Sequence, residues 1–458
     1  MKVLADPDRV LGEGLARLRE RFDIPAGFPP EVTVEAERAA KQVVDGHSDW
    51  TDRPFVTLDP ASSTDLDQAF CIEESGNDLL LHYALADIGW FAPEGSALVA
   101  EAWRRGVTLY LPDGRARLYP AVLSEDAASL LPGGPRPSVV VSVRCSPDGT
   151  VALEGAERAI IHSRAKLAYE TTEVADVPHL EAFAARMTRA ERDRGAARVD
   201  PPEQELERDG ESRYRLSFRV HRASEEANAT LSLAANIAIA QALHAAGTGM
   251  FREMPAPDER AVARLRQAAR GLGLNWHDAM PLGEFERTID PRTVAGAAFQ
   301  LAVRRVGTGA SYVPFRAGHT PWHAALAAIY THATAPMRRL GDRYILDTVL
   351  ALVEGGPVPE PALFERLART VNAADAREGA IERAVLDLAE AVLLAGREGE
   401  VFRALVTERD DKGARVQLRD IPVLARVDTG SVAAGEALMV RLVGADPVRG
   451  EVRFERVR

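Results

Sequence analysis

One segment brings three aspartates together: Phe55-Val-Thr-Leu-Asp-Pro-Ala-Ser-Ser-Thr-Asp-Leu-Asp-Gln-Ala-Phe70. Apolar residues before Asp59 and after Asp65 predict two short strands, and the Pro-Ala-Ser-Ser-Thr run between them predicts a turn. Asp65 and Asp67 would share one face of extended chain, because strand side chains alternate in direction. Asp59 would fold back beside them.

Three carboxylates held this close repel one another unless a cation lies among them. Oxygen ligands without His or Cys favour Mg²⁺, with Mn²⁺ as the second choice, over zinc. A solvated acidic turn is the commoner explanation for such a spacing when it occurs alone. The rest of the chain must therefore decide between the two.

The composition bounds the fold class and the cellular setting. The chain has 458 residues, of which 46% are hydrophobic and 27% charged, as in a globular protein of two or three domains. No apolar run suits a signal peptide or a membrane span. Cys71 and Cys145 lie in strand-like segments and resemble small buried hydrophobes, so we expect a reducing cytoplasm.

The charge balance is acidic, with 56 basic and 68 acidic residues and a net charge of −12. This argues against a basic coat for nucleic acid but leaves open an internal basic channel. Four basic residues are lysine and the others are arginine, which binds phosphate through two parallel hydrogen bonds. A general preference for arginine and alanine explains most of them equally well.

The pattern of elements predicts an α+β fold in three regions. Residues 1–48 are predicted as a small helical region, with helices at 8–22 and 32–44 that form either a helix-turn-helix or a helical prefix. Residues 49–395 are strand-rich to about residue 161 and then helical, with helices at 180–198, 230–246, 258–272, 291–306, 323–330, 337–354 and 361–394. Residues 396–458 contain five short strands, which fit an OB-type barrel.

A second group of polar residues lies far along the chain, in Thr331-His-Ala-Thr-Ala-Pro-Met-Arg-Arg-Leu-Gly-Asp342. Thr334 is a candidate N-cap, so Arg338 and Arg339 are predicted in the first turn of a helix. That end of a helix is already positive, and a bound phosphate would remove the conflict. Equally, one arginine could pair with Asp342 or with another carboxylate.

With both groups in view, the chain resembles the ribonuclease II/R family of 3′-to-5′ exoribonucleases over about residues 50–458. Five segments carry the resemblance in the family's order: Phe55 to Asp67, Leu85-Ala-Asp-Ile88 with Pro93-Glu-Gly-Ser96, Gly106-Val-Thr-Leu-Tyr-Leu-Pro112, Ser163-Arg-Ala-Lys-Leu-Ala-Tyr169 and Thr334-Ala-Pro-Met-Arg-Arg339. The C-terminal strands resemble the S1-type OB fold of these enzymes. The resemblance implies a mixed-sheet and helical catalytic core with a funnel or channel.

The resemblance also implies a role for each matching residue. Asp59, Asp65, Asp67 and Gln68 would hold Mg²⁺, Asp65 and Asp67 would act in catalysis, Arg338 would clamp the scissile phosphate, Tyr169 would contact the same region, Tyr110 would pack on the 3′-terminal nucleotide and Arg339 would bind substrate. The reaction would be two-metal phosphodiester hydrolysis of single-stranded RNA from its 3′ end, giving nucleoside 5′-monophosphates. A cytoplasmic monomer is expected.

The sequence departs from the family pattern at several points. Gln68 stands where a fourth acid is usual, and Asp87 would compensate if it reached the site. Ala229 and Thr230 stand where a glutamate pair usually opens a helix. No aromatic residue stands just before Asp200-Pro-Pro-Glu203 to match the family's second base-stacking residue.

Two hypotheses follow from these departures. Gln68 supports a rival interpretation, a catalytically weakened RNA-binding protein of the same fold. The helical residues 1–48 are expected to replace the family's N-terminal cold-shock-type OB folds, which predicts tolerance of duplex RNA.

Overall fold

The computed structural model describes residues 2–5, 9–197, 204–208, 213–219, 222–290, 293–307, 309–410, 413–428, 432 and 435–457. The helices are α1 Val10–Arg21, α2 Pro30–Ala39, α3 Ile88–Phe91, α4 Ala97–Arg105, α5 Leu180–Asp193, α6 Ala223–Ala245, α7 Glu259–Gly271, α8 Leu282–Thr288, α9 Val294–Val306, α10 Leu340–Val353 and α11 Pro361–Leu394. The stretch Asp200 to Glu203, before which the family's aromatic residue is missing, lies outside the described residues.

The strands fall into a large sheet, a barrel and several small sheets. They are β1 Lys2–Ala5, β2 Ser48–Asp49, β3 Val56–Asp59, β4 Gln68–Ser75, β5 Asp78–Ala86, β6 Leu109–Leu111, β7 Gly114–Ala116, β8 Arg136–Cys145, β9 Val151–Ile161, β10 Ala165–Ala168, β11 Gln204–Arg208, β12 Arg213–Phe218, β13 Met250–Glu253, β14 Ser311–Pro314, β15 Trp322–His323, β16 Ala328–Ile329, β17 Val401–Asp410, β18 Gly413–Leu418, β19 Leu424–Asp428, β20 Ala437–Asp446 and β21 Glu451–Arg456. The mixture of sheets, helices and a barrel confirms the predicted α+β class.

A seven-stranded sheet in the order β10-β3-β4-β5-β8-β9-β2 frames the first half of the chain. Its inner pairs are antiparallel, whereas β10 with β3 and β2 with β9 are parallel. β5 is apolar along almost its whole length because both faces are covered: Leu81 and Tyr83 lie in one core cluster and Ala84 in another. The sheet therefore holds its central strands rigidly.

The acid-bearing segment lies at one end of this sheet. Asp59 is the last residue of β3, and Gln68 is the first residue of β4. β10 runs parallel to β3 with Ala168 beside Asp59, which brings Tyr169 to the same end. The connecting loop is held by Lys166, whose Nζ donates to the carbonyl of Ala61 at 2.8 Å.

Two predicted helices differ from the observed elements. The apolar helix α6 begins at Ala223, seven residues before the predicted start, and so includes Glu225 and Glu226 in its first turn. Residues 323–330, predicted as a helix, form the β15–β16 hairpin. Its alanines favour a helix, but so short a helix is marginal alone, and strand pairing of His323 with Ala328 prevails.

The N-terminal helices pack on the central region. Leu11 and Leu15 of α1 share a buried cluster with Ile381 and Val385 of α11. The sequence did not predict β1, which pairs antiparallel with β12. The helix-turn-helix function of residues 1–48 stays a prediction.

The C-terminal strands form a closed five-stranded barrel in the order β17-β18-β19-β21-β20, as predicted. Its only two phenylalanines among residues 396–458 are Phe402 and Phe454, which meet edge to face inside the barrel with ring centroids 5.9 Å apart. Both are buried, so they fill the core and do not provide a surface for base stacking.

Two further expectations concern single residues and the membrane. Cys71 and Cys145 are buried free thiols, and burial raises the pKa of the Cys145 thiol to about 11. None of the described helices combines the length and the apolar character that a membrane crossing needs.

A buried carboxylate fastens the barrel to the rest of the chain. Glu390 of α11 is 5% exposed, and its Oε1 accepts from Gln204 Nε2 at 2.7 Å and from the Leu424 backbone N–H at 2.8 Å. Burial raises the pKa of Glu390 to about 7, and the two hydrogen bonds only partly oppose this effect. One side chain thus joins β11, α11 and β19.

The raised pKa predicts that Glu390→Gln stabilises the protein at alkaline pH. The folded protein disfavours the ionised form, so stability falls as pH rises from the unfolded pKa, about 4.5, through the folded value, about 7. Glutamine keeps the acceptor oxygen and removes the charge. We expect a gain in unfolding free energy of about 1–3 kcal/mol at pH 8 and little change near pH 4.5.

Chemical denaturation across this pH range would measure the difference. Glu400→Gln is the matched control, because the hydrogen bond from Arg397 lowers the pKa of this exposed residue. An equal gain from both substitutions would contradict the assignment.

Candidate active site

The first and second groups of polar residues meet through Asp67. Asp67 is 2% exposed, and its Oδ2 accepts from Arg338 Nε at 2.6 Å. Its Oδ1 accepts from the Met337 backbone N–H at 2.7 Å. Burial raises the pKa of the Asp67 carboxyl, while Arg338 and the Met337 N–H act in the opposite direction. The early aspartates and the distant arginine therefore lie side by side, as the sequence predicted.

The segment before α10 is a turn and not the predicted first helical turn. The helix begins at Leu340, after both arginines, and the Thr334 side chain does not cap it. Instead the buried Asp342 accepts from the Ala335 N–H at 2.8 Å and from Arg339 Nη2 at 2.6 Å, which folds the chain back before the helix. Arg338 thereby projects toward Asp67.

The two arginines have different partners. Arg339 pairs with Asp342, whereas Arg338 pairs with Asp67, so both of the open alternatives for pairing with a carboxylate are realised. Arg338 keeps 38% of its side chain exposed, which leaves the guanidinium accessible from the site. The contact of Arg339 with RNA stays a prediction.

Asp65 faces a hairpin formed by β6 and β7. Its Oδ2 accepts from the Tyr110 hydroxyl at 3.1 Å, and its Oδ1 lies 2.7 Å from Arg115 Nη1. Tyr110 is 46% exposed, so its ring remains available to pack on another group. The sequence predicted Tyr110 here but not Arg115.

Asp59 and Tyr169 complete the group. Burial is the largest cause that raises the pKa of Asp59 to about 7; Asp67 and Asp65 add to it, and Arg338 opposes it. The Tyr169 backbone N–H donates to the Asp59 carbonyl at 3.1 Å, and the Tyr169 hydroxyl accepts from Asn228 Nδ2 at 2.9 Å. All the predicted catalytic residues therefore lie at one end of the sheet.

Gln68 and Asp87 behave differently from the other candidates. The Gln68 Oε1 accepts a hydrogen bond from the hydroxyl of Tyr83, which is fully buried. The Asp87 carboxylate caps α3 and pairs with His47 and Arg158, so it does not compensate for the missing acid. The amide thus stands alone in place of a fourth carboxylate.

The donor set fits a hard divalent ion in its chemistry, since it consists of carboxylate oxygens. Burial and, to a smaller extent, the neighbouring Asp67 and Asp65 disfavour the charged form of Asp59, which a bound cation would stabilise. Among the residues that the structure describes, however, no three His, Cys, Asp or Glu side chains are placed to share a metal ion. Asp65 and Asp67 instead each face an arginine.

A cavity of about 1130 Å³ leads away from this site. Its wall begins at Ser62, Tyr110 and Pro112 and continues along β11, α9 and α11 to Arg415 and Leu424 of the barrel. Both signs of charge line it: Arg208, Arg219, Arg304, Arg305, Arg383 and Arg415, with Glu205, Glu207, Glu382, Asp387 and Glu390. The cavity agrees with the funnel or channel that the family resemblance implied for the catalytic core, and it also reaches the barrel.

Several contributing residues were not predicted from sequence. Arg115 lies five residues after Tyr110 and contacts it only because β6 and β7 form a hairpin, whose Pro112-Asp-Gly turn was the available signal. Ser232, Asn236 and Thr334 form a hydrogen-bonded group behind the arginine turn. Nothing in their spacing indicates this contact.

Two known protein families match separate parts of the chain. The RNB domain family matches residues 47–355, and the RNase II-type exonuclease C-terminal S1 domain matches residues 400–457. Ribonuclease R of Thermotoga maritima is 25% identical over 488 residues, spanning 94% of this chain and 68% of that protein.

Two solved structures resemble the fold over the whole chain. Mycoplasma genitalium RNase R in complex with ribose methylated single-stranded RNA has a TM-score of 0.86 at 19% identity and is covered to 79%. The same enzyme in complex with double-stranded RNA has a TM-score of 0.82 at 20% identity and is covered to 85%.

The chain belongs to the RNB family. Within that family it is a 3′-to-5′ exoribonuclease of the ribonuclease R and ribonuclease II type, with the C-terminal S1 domain of these enzymes. Nucleases of the family depend on a divalent metal ion.

Substitution of each arginine by lysine separates their roles. Arg338→Lys is expected to lower kcat about 100-fold, because lysine cannot offer the planar fork that binds a phosphate oxygen pair. Arg339→Lys is expected to lower the unfolding free energy by about 1–3 kcal/mol, because three hydrogen bonds to buried Asp342 are disturbed.

Steady-state hydrolysis of labelled RNA and thermal unfolding of both variants would measure these effects, and each variant serves as the control for the other. A loss of activity in Arg339→Lys with unchanged stability would contradict the separation.

Proposed function

We propose that the protein hydrolyses single-stranded RNA from its 3′ end with Mg²⁺, releasing nucleoside 5′-monophosphates, and acts as a cytoplasmic monomer. The observation that carries the proposal is the contact of Asp67 with Arg338 and with the Met337 N–H, at 2.6 and 2.7 Å. A carboxylate beside an accessible guanidinium supports metal-assisted cleavage of a phosphodiester.

Asp59, Asp65 and Asp67 are the proposed carboxylate ligands of the ion. Such an ion, when bound, lowers the pKa of a water molecule and stabilises charge on phosphate oxygens. Mn²⁺ suits the same donors. Asp67 would also orient the attacking water, because the Met337 N–H and Arg338 fix the plane of its carboxylate.

Arg338 is proposed to exchange its partner when RNA binds. In the free protein its guanidinium neutralises Asp67, and a phosphate offers a stronger, bidentate partner at the same place. Tyr110, with its half-exposed ring, would pack on the 3′-terminal base, and Tyr169, held by Asn228, would contact the scissile phosphate.

The RNA strand is proposed to reach the site along the cavity between the barrel and α11. Six arginines line this cavity and can contact phosphates, while the carboxylates among them limit non-specific attraction. This mixed lining agrees with an overall charge of −12. Affinity for RNA would therefore come from the enclosed path and not from the outer surface.

The rival interpretation, a weakened RNA-binding protein, is not favoured. Gln68 replaces a usual acid, but the three aspartates, Arg338, Tyr110 and Tyr169 all lie together at the end of the sheet. A chain that had lost hydrolysis would not need this group of residues to remain in contact.

Asp67→Asn tests the proposal directly. We expect hydrolysis of labelled poly(A) in Mg²⁺ to fall by about 10³-fold while RNA binding is retained, because the amide keeps the shape and loses the charge. The matched control is Asp78→Asn. Asp78 begins β5, at the end of that strand far from Asp67, and its carboxylate pairs with Arg144. EDTA should abolish hydrolysis in the wild type.

Equal activity of Asp67→Asn and the wild type would remove the acid cluster from the mechanism. Binding of poly(A) without metal-dependent release of mononucleotides from the wild type would favour the rival interpretation.

Digestion of a hairpin with a single-stranded 3′ overhang tests whether the enzyme reads into structured RNA. We expect products that continue into the stem, since a related enzyme of the same fold has been solved in complex with double-stranded RNA. The overhang sequence alone is the control. A stop several nucleotides before the stem would refute the expectation.

A further inference from the structure

The β6–β7 hairpin has two different faces. In β6, the half-exposed Tyr110 lies between two buried leucines, so its ring projects to one side of the hairpin and theirs to the other. Residues of the buried face share one apolar cluster with helix α1: Leu109, Leu111 and Ala116 of the hairpin with Leu11, Leu15 and Leu18 of the helix. The hairpin therefore rests on α1 and presents Tyr110 on the side that faces Asp65.

So short a hairpin needs support at both ends. β6 and β7 have three residues each, and an isolated two-stranded hairpin is at best marginally stable in water. The base of this hairpin is joined to the arginine turn, because the Thr108 backbone N–H donates to the Arg338 carbonyl at 2.9 Å. The tip, at Asp113 and Gly114, lies at the other end and needs a contact of its own.

Arg19 of α1 makes that contact. Its Nε donates to Asp113 Oδ2 at 2.9 Å and its Nη2 to Asp113 Oδ1 at 2.8 Å, which is the paired geometry of a guanidinium on a carboxylate. The same Nη2 donates to the Gly114 carbonyl at 3.3 Å. The two side chains are only 23% and 27% exposed, where an ion pair is stronger than on the open surface. Three hydrogen bonds thus hold the tip.

Helix α1 is itself a fixed support, because it is fastened to the long helix α11. Gly14 permits a close approach of the two helices, since a methyl group there would lie 2.6 Å from the Leu388 side chain. Just after α1, the Arg377 guanidinium of α11 donates to the carbonyls of Phe22 and Asp23, both at 2.7 Å. Arg19 therefore extends from a helix that is held along its length and at its end.

We propose that Arg19 is a positioning residue for the 3′-terminal nucleotide: through Asp113 it holds the hairpin tip, and so keeps the Tyr110 ring in place for the terminal base. Among the described residues, Tyr110 and Pro112 line the cavity and Arg19 does not, so Arg19 acts through the hairpin. The inference rests on the proposed function, which assigns the terminal base to Tyr110.

A five-nucleotide RNA, with and without the base of its 3′-terminal nucleotide, tests the inference. Dissociation constants measured by fluorescence anisotropy in EDTA, where cleavage is stopped, give the ratio of the two affinities. This ratio does not depend on the fraction of folded protein, because both RNAs are measured on one preparation. Stacking of a base on an aromatic ring predicts that the wild type prefers the intact RNA by about fivefold or more.

The variants remove the contact from either side. Arg19→Met keeps the apolar stem and is expected to lower the preference about threefold, and Asp113→Ala should lower it by a similar factor. The double variant should lower it no further, because both residues act through one contact. Arg17→Met is the matched control: Arg17 lies on the same helix, is paired with Glu13 at 3.9 Å, and should keep the wild-type preference.

Tyr110→Ala distinguishes a failure of this inference from a failure of the proposed function. A preference that Tyr110→Ala lowers, but that folded Arg19→Met leaves at the wild-type value, would overturn the inference alone. Absence of any preference in the wild type would contradict the role of Tyr110 and, with it, the inference. The expected preferences without metal-dependent hydrolysis would contradict the function alone. Thermal unfolding would verify that each variant is folded.

Discussion

The contact of Asp67 with the turn before α10 is the interaction on which the site depends. A single buried carboxylate makes one side-chain bond across 271 positions and one backbone bond across 270 positions of the chain. These two bonds fix the plane of the Asp67 carboxylate and the position of Arg338 beside it. A buried carboxylate is costly unless its oxygens are paired, and here each one is.

The large sheet and the turn contribute rigidity in different ways. β3 and β4 lie between β10 and β5, so Asp59 pairs with Ala168 of β10 and Gln68 pairs with Leu85 of β5. The arginine turn is held by Asp342, which takes the place of a helix cap, and by an antiparallel bridge between Arg339 and Val107. Two ion pairs thus stabilise the site. Arg339 with Asp342 stabilises the turn, and Arg338 with Asp67 connects the turn to the acidic cluster.

Much of this arrangement could be predicted from sequence where a local pattern was strong. The continuous apolar run of β5, the exact length of α11 and the five strands of the barrel all follow from periodicity and turn residues. The acid trio and Arg338 were predicted together because several short motifs occur in order. These features depend on residues close in sequence or on the family resemblance.

The remaining features depend on contacts that sequence spacing does not encode. Asp342 changes the start of α10 because its carboxylate reaches back to Ala335, and a helical pattern alone cannot show that. The β15–β16 hairpin prevails over the helix preference of its alanines through pairing with neighbouring strands. Arg115 enters the site by way of a hairpin turn.

The long separation between Asp67 and its partners also matters while the chain is being made. On a ribosome, the aspartates and the large sheet emerge well before the turn that carries Arg338. Until that turn has left the exit tunnel, the nascent polypeptide lacks the cation proposed to grip a phosphate. A nascent chain that ends before this turn therefore has the acidic cluster without the cation that pairs with it.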